Sequence, residues 1–97
     1  MPTFIMLANY TQQGLSRIKD TTKRAEEVKA LASKAGLTMK ETYWVLGQHD
    51  VVAVFDAPSD EAMTSFALSI AKMGNITTQT LRAFTATEMG RILDKTP

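Results

Sequence analysis

His49 is the chain's only histidine, and Asp50 follows it directly. Imidazole exchanges its proton near neutral pH, and a neighbouring carboxylate can make it a general base. Both residues lie in Gly47-Gln48-His49-Asp50, a tight connection between two β-prone runs. The same four residues also suit an ordinary polar turn, since Gly and Asp are common turn formers. Asn9 and Tyr10 close the first apolar run. A polar residue there could line the mouth of a cleft, although Asn also simply favours strand ends. Lys19 sits beside Asp20 in a break between two helical pieces. It could contact an anion together with the free amides of a helix starting near Thr22, with Arg24 close by, or form a solvated pair of little energetic value. Arg82 shares the wetter side of its strand with Thr78 and Thr80. It reads as an anion contact or as an edge-strand charge that blocks aggregation. The candidate ligand-binding residues are therefore His49, Asp50, Asn9, Tyr10, Lys19 and Arg82. Their ligand would be a small anionic or carbonyl-bearing compound, bound in a pH-dependent way through His49.

Other chemistries are excluded or unsupported. Cysteine is absent, which removes disulfides, thiolate metal sites and Cys nucleophiles. One His without Cys leaves only carboxylates to complete a metal site, so no metal is expected. No dinucleotide-binding, phosphate-loop or nucleophile-elbow motif occurs, so no cofactor is assigned and no catalytic residue is named. Eleven Lys and Arg against ten Asp and Glu leave a net charge of +1, with the basic residues scattered among acids. That balance speaks against nucleic acid or an anionic membrane as partner. No stretch approaches the roughly 20 apolar residues of a membrane span, and the first apolar run is too short for a signal peptide. A cytoplasmic protein is the default.

These side chains must be positioned by a single domain of 97 residues, 44% apolar and 22% charged, the composition of an ordinary globular protein. Thr3 to Asn9 is a strand apolar on both alternating faces. After Gly14, a short helical turn through Leu15 and Ile18 leads to Asp20-Thr21-Thr22, which offers N-cap oxygens. The next helix carries Ala25, Val28, Leu31, Ala32 and Ala35 on one stripe, and Gly36 stops it. Thr38 to Leu46 is a more polar strand, in which Tyr43 and Trp44 face opposite sides. Val51 to Phe55 is a second strand apolar on both faces, and the pair forms a hairpin. Ser59 caps a helix whose buried stripe is Met63, Phe66, Ala67, Ile70 and Met73. Ile76 to Phe84 is a strand with one wetter face. Thr85 and Glu88 have capping-box spacing before a short final helix.

The order β-α-β-β-α-β plus a terminal helix is an α+β, ferredoxin-like arrangement with an antiparallel four-stranded sheet in the order 4-1-3-2. Helices can cover only one face of that sheet, yet strands one and three are apolar on both. The second face needs another cover, and a second copy of the chain is the simplest. The expected assembly is a homodimer or higher even oligomer, with two sheets face to face as a dimeric α/β barrel.

From end to end the chain resembles the GYD family of small dimeric α/β-barrel proteins. The matching stretches are Asn9-Tyr10-Thr11-Gln12-Gln13-Gly14, Ile18-Lys19-Asp20, Lys23-Arg24, the Gly47–Asp50 turn with Val51 and Val52, Ala57-Pro58, Met73-Gly74-Asn75, and Leu81-Arg82-Ala83-Phe84-Thr85. His49 stands where the family usually has Tyr, so a role resting on that phenol is not carried over. The resemblance implies the fold and a dimeric barrel, and no reaction.

Two functional readings follow. The leading one is a homo-oligomeric small-ligand-binding or assembly module without catalysis. The alternative is a small cofactor-free enzyme, isomerase-like or monooxygenase-like, with a pocket near His49. An enclosed pocket where His49 or another titratable group converges with polar residues would favour the enzyme, and a barrel interior filled by side chains the binding module.

Overall fold

The computed structural model describes residues 1–97. β1 (Thr3–Tyr10) leads through α1 (Gln12–Ser16) and a 3-10 turn (Ile18–Asp20) into α2 (Thr21–Lys34). β2 (Thr38–Trp44) and β3 (Val51–Asp56) form the hairpin, followed by α3 (Asp60–Ala71), β4 (Ile76–Ala83) and α4 (Ala86–Asp94). The sheet runs β2-β3-β1-β4 and is antiparallel throughout, the ferredoxin-like order. No helix is long and apolar enough to cross a membrane.

Alternation along the strands sorts side chains to two faces. On the helix face, Phe4, Met6 and Ala8 lie opposite Phe55, Ala53 and Val51. α3 contributes Met63, Phe66 and Ile70 at helical spacing, and α2 contributes Ala32. Leu37, Met39 and Ala57 complete the core. The rings of Phe55 and Phe66 meet edge to face, 5.6 Å between centroids. That geometry adds to their burial energy.

The other face is different. Ile5, Leu7, Val52 and Val54 are only half-buried, Leu81 is 40% exposed and Tyr43 54%. Polar groups rim this apolar strip: Gln79 and Thr77 along β4, and Tyr43 with Glu41 along β2. The Tyr43 phenol donates to Glu41, 2.7 Å away, and that bond and charge raise its pKa above 10.0.

Some boundaries differ from the sequence expectation. β2 ends at Trp44 rather than Leu46. Val45 N–H still donates to the Asp50 carbonyl, but Leu46 points wholly into solvent before Gly47 turns the chain with φ 107°. The start of α2 carries no side-chain cap on Asp20. The 3-10 turn runs straight into it, so the Thr21 amide is taken by the Ile18 carbonyl and the Thr21 hydroxyl is released for other partners. The Ser59 cap and the Thr85–Glu88 capping box form as expected.

The segment after β1 is clasped to the end of α3. Thr11 N–H donates to the Asn75 carbonyl at 3.1 Å, and its hydroxyl donates to Gly74 O at 2.5 Å. The Gln13 amide donates to Met73 O and Asn75 Oδ1, each at 3.0 Å. Gly14 is buried here, and a Cβ on it would collide with the Asn75 carbonyl oxygen. Gly14→Ala is therefore expected to destabilise the fold by about 2–4 kcal/mol, read from the urea midpoint. A change below about 0.5 kcal/mol, typical of a free surface position, would refute the clasp.

Candidate functional site

The structure brings four of the six candidate residues together. Asn9 and Tyr10 end β1 beside the Gly47–Asp50 turn. Asp50 Oδ2 accepts the Tyr10 amide at 2.9 Å, and the Asp50 amide donates to Ala8 O at 2.9 Å. Asn9 Nδ2 donates to the Gln48 carbonyl at 2.6 Å. That bond fixes the orientation of the amide, so Asn9 Oδ1 is left as the acceptor for His49 Nδ1, 3.0 Å away. The neutral imidazole consequently carries its proton on Nδ1 and presents a bare Nε2. His49 is oriented by an amide and not by a carboxylate. Asp50 Oδ2 is engaged by the backbone, and no hydrogen bond joins the Asp50 carboxylate to His49.

Lys19 and Arg82 stand apart from this cluster. Lys19 is exposed in the 3-10 turn and makes no ion pair, and the amide of Thr21 behind it is already bonded. Arg82 lies opposite Phe4, at the far end of β1 from Tyr10. Six residue steps along the strand separate Phe4 from Tyr10, roughly 20 Å. There Arg82 donates to the Thr3 and Ala83 carbonyls, stacks 4.5 Å from the Phe84 ring centroid, and pairs with Glu88 at 3.8 Å. It braces the joint between β4 and α4. The Thr85 amide donates to the Glu88 carboxylate and holds its pKa below the usual 4.5, against a smaller opposing effect of burial, with Arg82 and Arg91 helping.

A second place was not read from the sequence. α2 and α3 stand apart above β1 and β3 and leave a cavity of about 150 Å³. Its floor is Met6, Ala8 and Ala53, and Ala25 and Val28 of α2 form one wall. The apolar body opens at one end onto Tyr10, Thr21, Arg24 and Trp44. The Tyr10 hydroxyl lies 2.8 Å from Thr21 Oγ1, and Trp44 Nε1–H donates to the same oxygen at 3.0 Å. Arg24 Nη2 donates to Gly14 O at 3.2 Å. The available signal was three alanines, Ala8, Ala25 and Ala53, at positions facing the core. Small side chains there leave space that larger ones would fill.

One antiparallel sheet with helices on a single face, an open apolar strip behind and a small cavity beneath α2 defines a ferredoxin-like α+β domain. The GYD domain model matches residues 4–93, and the chain belongs to the GYD family. It is 31% identical over 90 residues to the glutamine synthetase and cystathionine beta-lyase binding protein of Thermus thermophilus, covering 92% of this chain and 95% of that one. A hypothetical protein from Pyrococcus horikoshii has the same fold, with TM-score 0.63 and 22% identity over 88% of this chain and 92% of the other. So does a Thermus thermophilus protein of solved structure, with TM-score 0.58 and 22% identity over 89% of this chain and 96% of the other.

Two outcomes test this geometry. Nitrogen-15 NMR at alkaline pH should show His49 as the Nδ1–H tautomer, and Asn9→Ala should shift it toward Nε2–H. An Nε2–H majority in the parent would break the assignment. The lowered carboxyl pKa of Glu88 makes its capping contribution present above pH 4.5 and lost as pH falls through the lowered value. Amide exchange in the first turn of α4 should rise in that acid window, and Glu88→Gln should remove the dependence.

Proposed function

We propose that this chain is a homodimeric binding module without catalysis. Two copies pair their open sheet faces, and the assembled particle recognises protein partners. The observation that carries this is the strip of Ile5, Leu7, Val52, Val54 and Leu81 left without cover. An apolar centre with a polar rim is the anatomy of a protein interface. The single chain is also thin: its extents are 50 × 31 × 18 Å and only 13 of 97 residues are buried. Its radius of gyration of 14.5 Å exceeds the roughly 12.5 Å of a compact chain of this length. A second copy on the strip would thicken the core without any new element.

The residues of the turn are engaged in structural bonds. His49 is held by Asn9, and Asp50 is turned onto the Tyr10 amide. By analogy with the relative's name, the proposed partners are enzymes of that kind, glutamine synthetase or cystathionine beta-lyase. A small anionic ligand at the turn would need a hydrogen on His49 Nε2 to donate to it, without help from Lys19 or Arg82.

Light scattering at micromolar concentration should give twice the chain mass, and Val54→Asp should return a monomer or cost several kcal/mol of stability. A well-folded monomeric parent under these conditions overturns the dimer. Calorimetry against the two enzymes of the same organism tests the partners. Heat in neither titration removes that assignment.

A further inference from the structure

We propose that the cavity beneath α2 binds a small monocarboxylate with an apolar body, its carboxylate held at the Tyr10–Thr21–Arg24 end. This stands apart from the dimer, since the cavity lies on the helix face and the open strip on the other.

Size comes first. A cavity of about 150 Å³ takes a molecule of a few carbons and stays dry when its lining is apolar. The floor and wall of Met6, Ala8, Ala53 and Val28 offer such a lining. An unfilled void is a standing cost to a domain with so thin a core. Larger side chains at the three alanines would remove it.

Polar groups gather at the Tyr10–Thr21–Arg24 end, while Thr42, beside Ala53, gives its hydroxyl to Met39 Sδ at 3.3 Å. Tyr10, Thr21 and Trp44 bring three donor hydrogens to one cluster, and only two bonds join them. If Thr21 accepts from both neighbours, its own hydrogen is free. If it donates to Tyr10, the phenol hydrogen is free. One hydroxyl donor is unspent in either arrangement. Arg24 adds a guanidinium with one bond made, to Gly14 O, and no carboxylate partner. A hydroxyl donor beside a guanidinium matches a carboxylate. Glu27 also lines the cavity but is exposed. Asp50 bonds the backbone of Tyr10 rather than its hydroxyl. The turn thus acts on this site by holding Tyr10, a positioning role for Asp50.

Trp44 is the chain's only tryptophan and stands at the mouth, so its fluorescence reports occupancy. The full chain is titrated with sodium hexanoate to about 10 mM, ten times a Kd of about 1 mM, with hexanamide as the neutral control. A saturable change in Trp44 emission with hexanoate is expected, with amide shifts at Ala8 and Val28 in NMR spectra. Arg24→Gln and Tyr10→Phe should each weaken hexanoate about tenfold, and Arg24→Gln should leave hexanamide unchanged. Ala25→Leu fills the void from α2 and should abolish both responses. Ala53→Val fills it from the sheet and serves if the first variant does not fold. No saturable change in the parent, an equal change in a folded filled variant, or hexanamide binding as well as hexanoate would each overturn the proposal.

Discussion

The sheet has two faces and the chain supplies helices for one of them. β1 and β3 are central, so their residues are apolar on both sides, and burying Phe4, Met6, Ala53 and Phe55 leaves Ile5, Leu7, Val52 and Val54 turned the other way. Period-two alternation makes this unavoidable, because no register can place both sets under the same helices. The thinness of the molecule and the proposed pairing both follow from it. The helices are also spread thinly on their own side, α2 over the β2 half and α3 over the β4 half, and the gap between them is the cavity.

Two polar clasps converge at one end of this sheet. The turn at Gln48–Asp50 grips the end of β1 through Asn9 and the Tyr10 amide, and Thr11 to Gly14 grips the end of α3. Between them Tyr10 is fixed from both sides with its hydroxyl directed to Thr21. Several of the stretches that mark the family resemblance lie in these clasps. Their first task is to close the chain at the mouth of the cavity, and any ligand role is added to that.

The sheet order was legible in the sequence because strand apolarity and edge polarity are one-dimensional signals. So were the Ser59 cap and the Thr85–Glu88 box, whose partners lie within four residues. The grouping of Asn9, Tyr10, His49 and Asp50 was legible as well, since a hairpin turn beside a central strand must sit at that strand's end. The chemistry within the group was not. Whether Asp50 faces His49 or the backbone of Tyr10 is decided by side-chain rotamers forty residues from their partners. Arg82 was misplaced relative to His49 because its end of β4 is set by the register against β1, which composition does not reveal. The cavity arises from small residues on three separate elements meeting in space. Each of those alanines is unremarkable by itself.

The central place of β1 has a consequence for how the chain is made. Its two neighbours come late in the sequence, and the pairing of Thr3 with Ala83 joins residues eighty apart. Synthesis of the stretch from Thr3 to Ala83 takes about 4–16 s at ordinary ribosomal rates. For most of that time β1 has neither neighbour and carries an apolar row on each side. Long-range pairing of this kind slows folding and prolongs the exposure of sticky edges. β1 is thus the vulnerable part of the nascent chain, and it is fully paired only when β4 arrives.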